Sequence, residues 1–311
     1  MSKCIDAGRE GCPCVLAESG DCLVCSKLNG GTCDDCQWQG ICIAALYQQN
    51  NYRIVQERQP HRMKIKEIKV YMPNLKVFVM EADKGYCQKA GTAGAFVFVK
   101  EANNHDWFEV PISVLKAEPE KNLIHLAVCG CGPKTSRILQ ERESLSVRGI
   151  YYNGLAGQGG LLANPEETFL FAKGVALAPL RNLLDGGSRY NRYLKNLKAF
   201  VDLDKVGMDF FLDYFGDLDA TRIEVRDFAK EGICPLEQLD HLESQCMGRS
   251  RINVMALTSP YYARHIQRAV GERQSVLRPT EGNMCCGEGI CGACTETDSY
   301  GRIVRHCKEK C

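Results

Sequence analysis

The sequence predicts an antiparallel β-barrel followed by an α/β domain with a parallel sheet, flanked at each end by a cysteine-rich segment. Three observations carry this. Between Met63 and Tyr152, short runs rich in Val, Ile and Phe are separated by Gly, Asn and Pro, the pattern of short strands joined by turns. From about Glu167 onward, strand-like runs alternate with helix-like ones, the signature of crossover helices on a parallel sheet. Of the nineteen cysteines, eight fall in the first 42 residues and six in the last 27.

The chain has 311 residues, 45% hydrophobic and 25% charged, enough apolar material for two cores. Its net charge of +1 creates no basic field for nucleic acid. No apolar run is long enough to span a membrane, and MSKCIDAGREGC has no apolar signal core, so a cytoplasmic protein is expected. In that compartment clustered cysteines serve as metal or iron–sulfur ligands rather than disulfides.

The elements follow in order. Residues 1–50 are too rich in Cys, Gly and Asp to form an apolar core, so something covalent or coordinative must hold them together. Residues 51–62 are polar and read as a linker. Within 63–160, the barrel, KIKEIKVYM, LKVFVMEA, GAFVFVKEA and LIHLAVC are strands. Within 161–275, ETFLFAKG is a strand and ALAPLRNLL a helix stopped by Gly186-Gly187. LKAFVDL, TRIEVRDF and INVMAL are further strands. VGMDFFLDYF is helical, and PLEQLDHLESQC is a helix with Leu236, Leu239 and Leu242 on one side. SPYYARHIQRAV is a helix with Ser259 at the N-cap and Pro260 at the first turn.

The tail, 276–311, carries the most specific motif. Cys286, Cys291 and Cys294 stand as Cys-x4-Cys-x2-Cys, with Cys307 following. This is plant-type [2Fe–2S] spacing. Gly287, Gly289 and Gly292 let the backbone wrap the cluster and aim N–H groups at sulfur. Zinc prefers paired Cys-x2-Cys units, and only one is present here. Cys285 competes with Cys286, but the four-residue spacing selects Cys286.

In this order of parts the chain resembles the ferredoxin-reductase superfamily. It is similar to the electron-transfer subunit of type B dihydroorotate dehydrogenase and to the small subunit of NADH-dependent ferredoxin:NADP oxidoreductase, also called sulfide dehydrogenase. The resemblance rests on Glu109-Val110-Pro111-Ile112-Ser113-Val114, Gly130-Cys131-Gly132-Pro133-Lys134-Thr135, Arg148-Gly149-Ile150-Tyr151-Tyr152-Asn153-Gly154, Gly174-Val175-Ala176-Leu177-Ala178-Pro179-Leu180 and the cluster loop. It covers 63–311 but not the N-terminal module. It implies that Pro111, Ile112, Ser113 and Val114 pack against a flavin ring in the barrel. Gly132, Lys134 and Thr135 would then face the FAD diphosphate, and Gly174, Ala178 and Pro179 would open an NAD(P)-binding half. From the residues themselves, the Gly132 and Thr135 amides, the Thr135 hydroxyl and the Lys134 charge suit a diphosphate. Tyr151 or Tyr152 is either a stacking ring for flavin or adenine or a core aromatic.

Three positions depart from the family. Val110 stands where an arginine usually adds charge to the diphosphate, with Lys134 and Arg148 as replacements. Lys173 replaces one of two glycines before the Ala-Pro turn. Thr258-Ser259-Pro260 replaces the Cys-Gly-Pro beside the nicotinamide.

The N-terminal candidates are Cys4, Cys12, Cys14, Cys22, Cys25, Cys33, Cys36 and Cys42. Eight thiolates suffice for two [4Fe–4S] clusters. Cys22-x2-Cys25 followed by Cys33-x2-Cys36 also fits zinc. The electron-moving context favours iron–sulfur.

The expected function is an electron-transfer subunit. FAD and [2Fe–2S] would pass electrons between NAD(P)H, a partner flavin- or iron–sulfur-bearing catalytic subunit, and ferredoxin, in a hetero-oligomer. The protein sets cofactor potential and spacing. The six histidines show no catalytic or ligand spacing, so no acid/base residue is assigned. The competing readings are a non-catalytic cluster-carrying adaptor with a degenerate nucleotide site, and a zinc-stabilised binding module.

Overall fold

The computed structural model describes residues 4–34, 36–54, 58–105, 109–185, 192–217, 223–228, 251–271, 274–280, 283–298 and 301–309. The chain forms two compact units: Arg62–Thr280, and the two chain ends together, Met1–His61 with Glu281–Cys311.

The larger unit begins with a closed barrel of six strands in the order β1-β2-β5-β4-β3-β6. They are β1 (His61–Met72), β2 (Leu75–Glu81), β3 (Phe96–Glu101), β4 (Val110–Glu118), β5 (Leu123–Cys129) and β6 (Ser144–Tyr151). The described pairings of the barrel are antiparallel. Val, Ile and Phe favour this pleated, half-buried surface. Phe78, Val97, Val99, Val114, Leu126 and Val147 fill the interior. A helix, α3 (Lys84–Ala90), leaves β2 through Asp83, whose carboxylate accepts from the Tyr86 N–H at 2.9 Å and so caps the helix start. Apolar patterning does not mark strands β4 and β6 or helix α3; the resemblance alone marks β4 as a strand.

The second half is a six-stranded sheet, β10-β9-β8-β11-β12-β7. Its strands are β7 (Leu155–Ala156), β8 (Glu167–Lys173), β9 (Leu197–Asp202), β10 (Ile223–Val225), β11 (Ile252–Leu257) and β12 (Val276–Pro279). The last five run parallel, and β7 pairs antiparallel with β12. Every residue of β11 is buried, as a central parallel strand covered on both faces requires. Helices α5 (Ala178–Asp185), α6 (Gly207–Phe215) and α7 (Pro260–Val270) lie where the sequence predicts helices. Ala263, Ile266 and Val270 form the buried stripe of α7, and Pro260 occupies its first turn, but the Ser259 hydroxyl makes no capping bond. The helix expected at Leu236, Leu239 and Leu242 and the Gly186-Gly187 stop lie outside the described residues.

Several polar contacts join the barrel to the second half inside this unit, among them the Tyr71 hydroxyl donating to Asp213 at 2.6 Å. Asn182 on α5, 2% exposed, donates to the carbonyls of Ala90 and Val114 at 3.2 and 3.0 Å. His125 on β5 meets the Tyr214 hydroxyl of α6 and the Glu118 carboxylate, each at 2.9 Å.

The smaller unit brings the two cysteine-rich ends together. It holds α1 (Val15–Glu18), α2 (Ile43–Gln49) and a tail hairpin of β13 (Thr295–Thr297) and β14 (Ile303–Arg305). Cys4 bridges antiparallel to Glu309, and the Ile5 N–H donates to the Lys308 carbonyl at 2.8 Å. Its buried aliphatic side chains among the described residues are few: Leu16, Ala17 and Ile43.

Candidate functional site

In the smaller unit the four tail cysteines are neighbours, although among the described residues no three His, Cys, Asp or Glu side chains are arranged as a metal site. Cys307 Sγ lies in hydrogen-bonding contact with the sulfurs of Cys286 and Cys294, and Cys286 with that of Cys291. The sulfur that meets Cys307 and Cys291 is that of Cys286, the choice the spacing makes over Cys285. Gly287, Gly289 and Gly292 hold φ values of 72°, 80° and 72°, a left-handed backbone that favours glycine. This winding aims amides inward: Glu288 N–H donates to Cys286 Sγ at 3.3 Å and Cys307 N–H to Cys294 Sγ at 3.4 Å. Hydrogen bonds from Cys307 and from the Cys291 and Glu288 amides outweigh burial and hold the Cys286 thiol at about 3. The Cys294 thiol falls to about 6, again chiefly through Cys307. The same sulfur contacts push Cys307 up, and burial pushes Cys291 up, so only Cys286 and Cys294 are held toward thiolate, the metal-binding form, and a bound cation would be needed to hold all four so.

Beneath the loop sits a buried charge quartet. Lys308 Nζ, with no solvent exposure, bonds Asp6 at 2.9 Å and Glu288 at 2.8 Å. Arg58 pairs with Asp6 at 2.5 Å and lies 3.6 Å from Glu288. Two cations thus balance two anions drawn from both chain ends and the segment before the barrel. Burial works against the Asp6 carboxylate, but Arg58 and Lys308 hold it at about 2. Sequence reasoning missed this quartet, because nothing in spacing links residue 6 to residue 308. A Cβ on Gly289 would lie 3.0 Å from Lys308 Cγ and 3.1 Å from Leu16 Cδ1, so the loop rests directly on the lysine stem and on α1.

The eight N-terminal cysteines separate by burial. Cys4 and Cys25 are buried and Cys12, Cys14 and Cys22 half-buried, whereas Cys33, Cys36 and Cys42 are exposed. Cys4, Cys12, Cys14 and Cys22 line one hollow with Leu16, Ala17 and Ile43. Burial pushes Cys4 up to about 12 and also raises Cys12 and Cys22. A cation or cluster among them would hold these sulfurs as thiolates.

In the larger unit the flavin candidates fall on β4 and on the turn after β5. Along β4, Ile112 and Val114 are buried while Pro111 is exposed and Ser113 half-exposed, so the strand divides its expected flavin-contact residues between its two faces. Helix α4 (Pro133–Ile138) starts at Gly132. The Thr135 hydroxyl accepts from the Cys131 and Gly132 N–H groups at 3.1 Å each. No atom lies within 4 Å of a Cβ built on Gly132, which leaves open space over this turn. Lys134 is exposed.

Tyr151 takes the core alternative. It is 1% exposed, stacked on Phe96 at 5.2 Å and edge-on to Phe98 at 5.1 Å. Arg148, named as a replacement for the arginine absent at Val110, forms an ion pair with Glu109 at 2.6 Å and lies 4.7 Å over the Phe98 ring. Its charge is therefore already partnered. Gly174 has φ +57° and opens a short 3-10 turn running into α5, which begins at Ala178 and Pro179. Lys173 pairs with Asp202 at 2.5 Å and lies 3.8 Å from Asp204, so the lysine that replaces glycine is neutralised by the end of the neighbouring strand.

No protein-family model matches the chain, and no curated protein matches it in sequence. Solved structures do match in fold. A chain of the NADH-dependent reduced ferredoxin-NADP oxidoreductase, described for flavin-based electron bifurcation, is 18% identical with TM-score 0.57, covering 79% of this chain and 85% of that one. Phthalate dioxygenase reductase, described as a modular structure for electron transfer from pyridine nucleotides to [2Fe–2S], is 13% identical with TM-score 0.52, covering 81% and 95%. A ferredoxin NADP+ reductase from Neisseria gonorrhoeae with bound FAD and NADP is 12% identical with TM-score 0.50, covering 69% and 91%. At these identities the likeness is one of fold, and that fold is the ferredoxin-reductase barrel and sheet that the sequence predicts.

Proposed function

We propose that this protein is an oxidoreductase that moves electrons between a flavin and iron–sulfur centres. The observation that carries the reading is the convergence of Cys286, Cys291, Cys294 and Cys307 under backbone amides, on a chain with the ferredoxin-reductase fold. Those four residues hold a [2Fe–2S] cluster, which supplies one-electron transfer when bound. FAD rests on the barrel, against the Pro111–Val114 strand and the Gly132–Thr135 turn. The fold neighbours described with pyridine nucleotides and FAD support both assignments.

In the N-terminal module, Cys12, Cys14 and Cys22, with Cys4 or Cys25, hold a [4Fe–4S] cluster, with zinc as the alternative. Cys33, Cys36 and Cys42 form a separate, exposed set. Electrons enter from NAD(P)H through the turn at Gly174, Ala178 and Pro179, or from a partner oxidoreductase subunit. The Lys173–Asp202 pair favours the partner route, because an anionic diphosphate gains nothing from a lysine whose charge is already matched.

Anaerobic titration with NADH and NADPH separates the routes. Bleaching of a flavin band near stoichiometric nucleotide supports direct entry. A bound flavin that dithionite reduces and neither nucleotide reduces supports the partner route. Absence of any flavin in anaerobically purified protein sinks the flavoprotein reading and leaves the cluster-carrying adaptor.

A further inference from the structure

Cys129 and Cys131 are given no role above, although Cys131 borders the Gly132–Thr135 turn proposed for the flavin. They stand at the end of β5, in the larger unit, and their sulfurs are 3.3 Å apart. In a continuing strand, residues two apart share a face but sit about 6.6 Å from each other along the chain. Here the strand ends in a tight turn. The Cys131 N–H donates back to the Cys129 carbonyl at 2.9 Å, an i to i+2 bond of the γ-turn kind, and this contraction brings the sulfurs together. The residue between them is locked in place. Gly130 N–H donates to the Asn74 carbonyl at 2.7 Å, and a Cβ on Gly130 would lie 2.9 Å from Leu139 Cδ1. The Thr135 hydroxyl holds the far side of the turn by accepting from the Cys131 N–H.

We propose that Cys129 and Cys131 form a redox-active dithiol that exchanges with small-molecule disulfides and closes to an intrachain disulfide. The pair has the asymmetry this chemistry needs. Cys131 is exposed and Cys129 half-buried, so an incoming disulfide reaches Cys131 first. Burial, then the neighbouring Cys131 sulfur, push the Cys129 thiol up to about 11, which suits it to the second, resolving role. The Cys131 thiolate attacks one sulfur of R–S–S–R, the small disulfide bond breaks, one RS⁻ leaves, and a mixed disulfide forms on Cys131. Cys129 loses its proton and attacks the Cys131 sulfur, the mixed disulfide breaks, and the second RS⁻ leaves. Two cysteine thiols are oxidised, one small disulfide is reduced to two thiols, and their two protons pass to the leaving groups. The sulfurs already touch at 3.3 Å, so bond formation shortens an existing contact to about 2.05 Å. Cys87 makes an instructive contrast. It is fully buried, with its sulfur against the Ala82 and Leu123 carbonyls, and no disulfide in solution can reach it.

The sequence allows a clean test, since trypsin releases Asn122–Lys134 with Cys129 and Cys131 as its only cysteines. Full-length protein is equilibrated anaerobically across mixtures of oxidised and reduced dithiothreitol, and separately with glutathione disulfide. It is then acid-quenched, alkylated and mapped by mass spectrometry. The expected result is a titration of this peptide from doubly alkylated to a form that takes no alkyl group and is two hydrogens lighter than the dithiol. The Cys129→Ser variant is expected to accumulate glutathione on Cys131, and Cys131→Ser to lose the internal disulfide and take up glutathione far more slowly. Circular dichroism of both variants verifies the barrel. A peptide that stays doubly alkylated at every ratio overturns the proposal, as does a folded Cys129→Ser variant carrying no glutathione.

Discussion

Lys308 is the residue on which the smaller unit turns. It follows a proposed cluster ligand in sequence, is wholly buried, and neutralises Asp6 and Glu288. A buried ion pair adds little against a well-packed apolar pair, but removing one partner strands the other charge. Lys308→Met is therefore expected to cost the smaller unit about 3–5 kcal/mol, read as loss of the visible cluster band at lower urea than in the wild type. An unchanged midpoint would show that the quartet is not formed. At the other unit, Glu118 is the residue to titrate. Burial opposes its charge, but bonds from Lys121 and His125 prevail and hold its carboxyl at about 2, below the ordinary 4.5. The unfolded chain then takes up a proton first as the pH falls, so the stability this group contributes is complete above about pH 4.5 and is lost toward about pH 2. His125, pushed down by burial, acts in the same direction at higher pH. The stability gap between wild type and Glu118→Gln is expected to be widest above pH 4.5 and to close on acidification. A gap independent of pH would contradict the pairing.

Among the elements, the sequence legibly marks those whose periodicity is strong. Strands β8, β9 and β11 and helices α6 and α7 fall where apolar patterning places them, because each buries a continuous face. Strand β4 is hidden by Pro111 and by charged residues at its far end, Lys116 and Glu118, and only the resemblance marks it. Helix α3 carries one strong local signal, the Asp83 cap, on a short and polar run. The left-handed turns of the tail loop are readable from the spacing of Gly287, Gly289 and Gly292, because they are set by φ rather than by packing. Tyr151 was not decidable, since a flavin-stacking ring and a core ring look alike in sequence. The joint between α5 and the barrel is equally invisible in the sequence: Leu180 and Leu183 share a core with Leu75, Val77 and Leu115, and Asn182 adds its polar bonds. Asn182→Ala would leave the Ala90 and Val114 carbonyls buried and unpaired, at about 1–3 kcal/mol. The expected outcome is a lower thermal midpoint for the larger unit, and an unaltered one would remove Asn182 from that joint.

For the whole molecule, topology accomplishes what no local pattern announces. The two cysteine-rich ends, distant in sequence, fold as one compact unit held by Asp6, Arg58, Glu288 and Lys308. With so few buried aliphatic side chains among its described residues, that unit would gain stability from the proposed clusters. The larger unit has apolar cores of its own. The most direct measurement of the account is a count of iron, acid-labile sulfide and flavin per chain in anaerobically purified protein. The expected count is at least the two irons and two sulfides of the tail cluster, further iron or zinc from the N-terminal cysteines, and one FAD. Near-zero iron and sulfide with no flavin would contradict it.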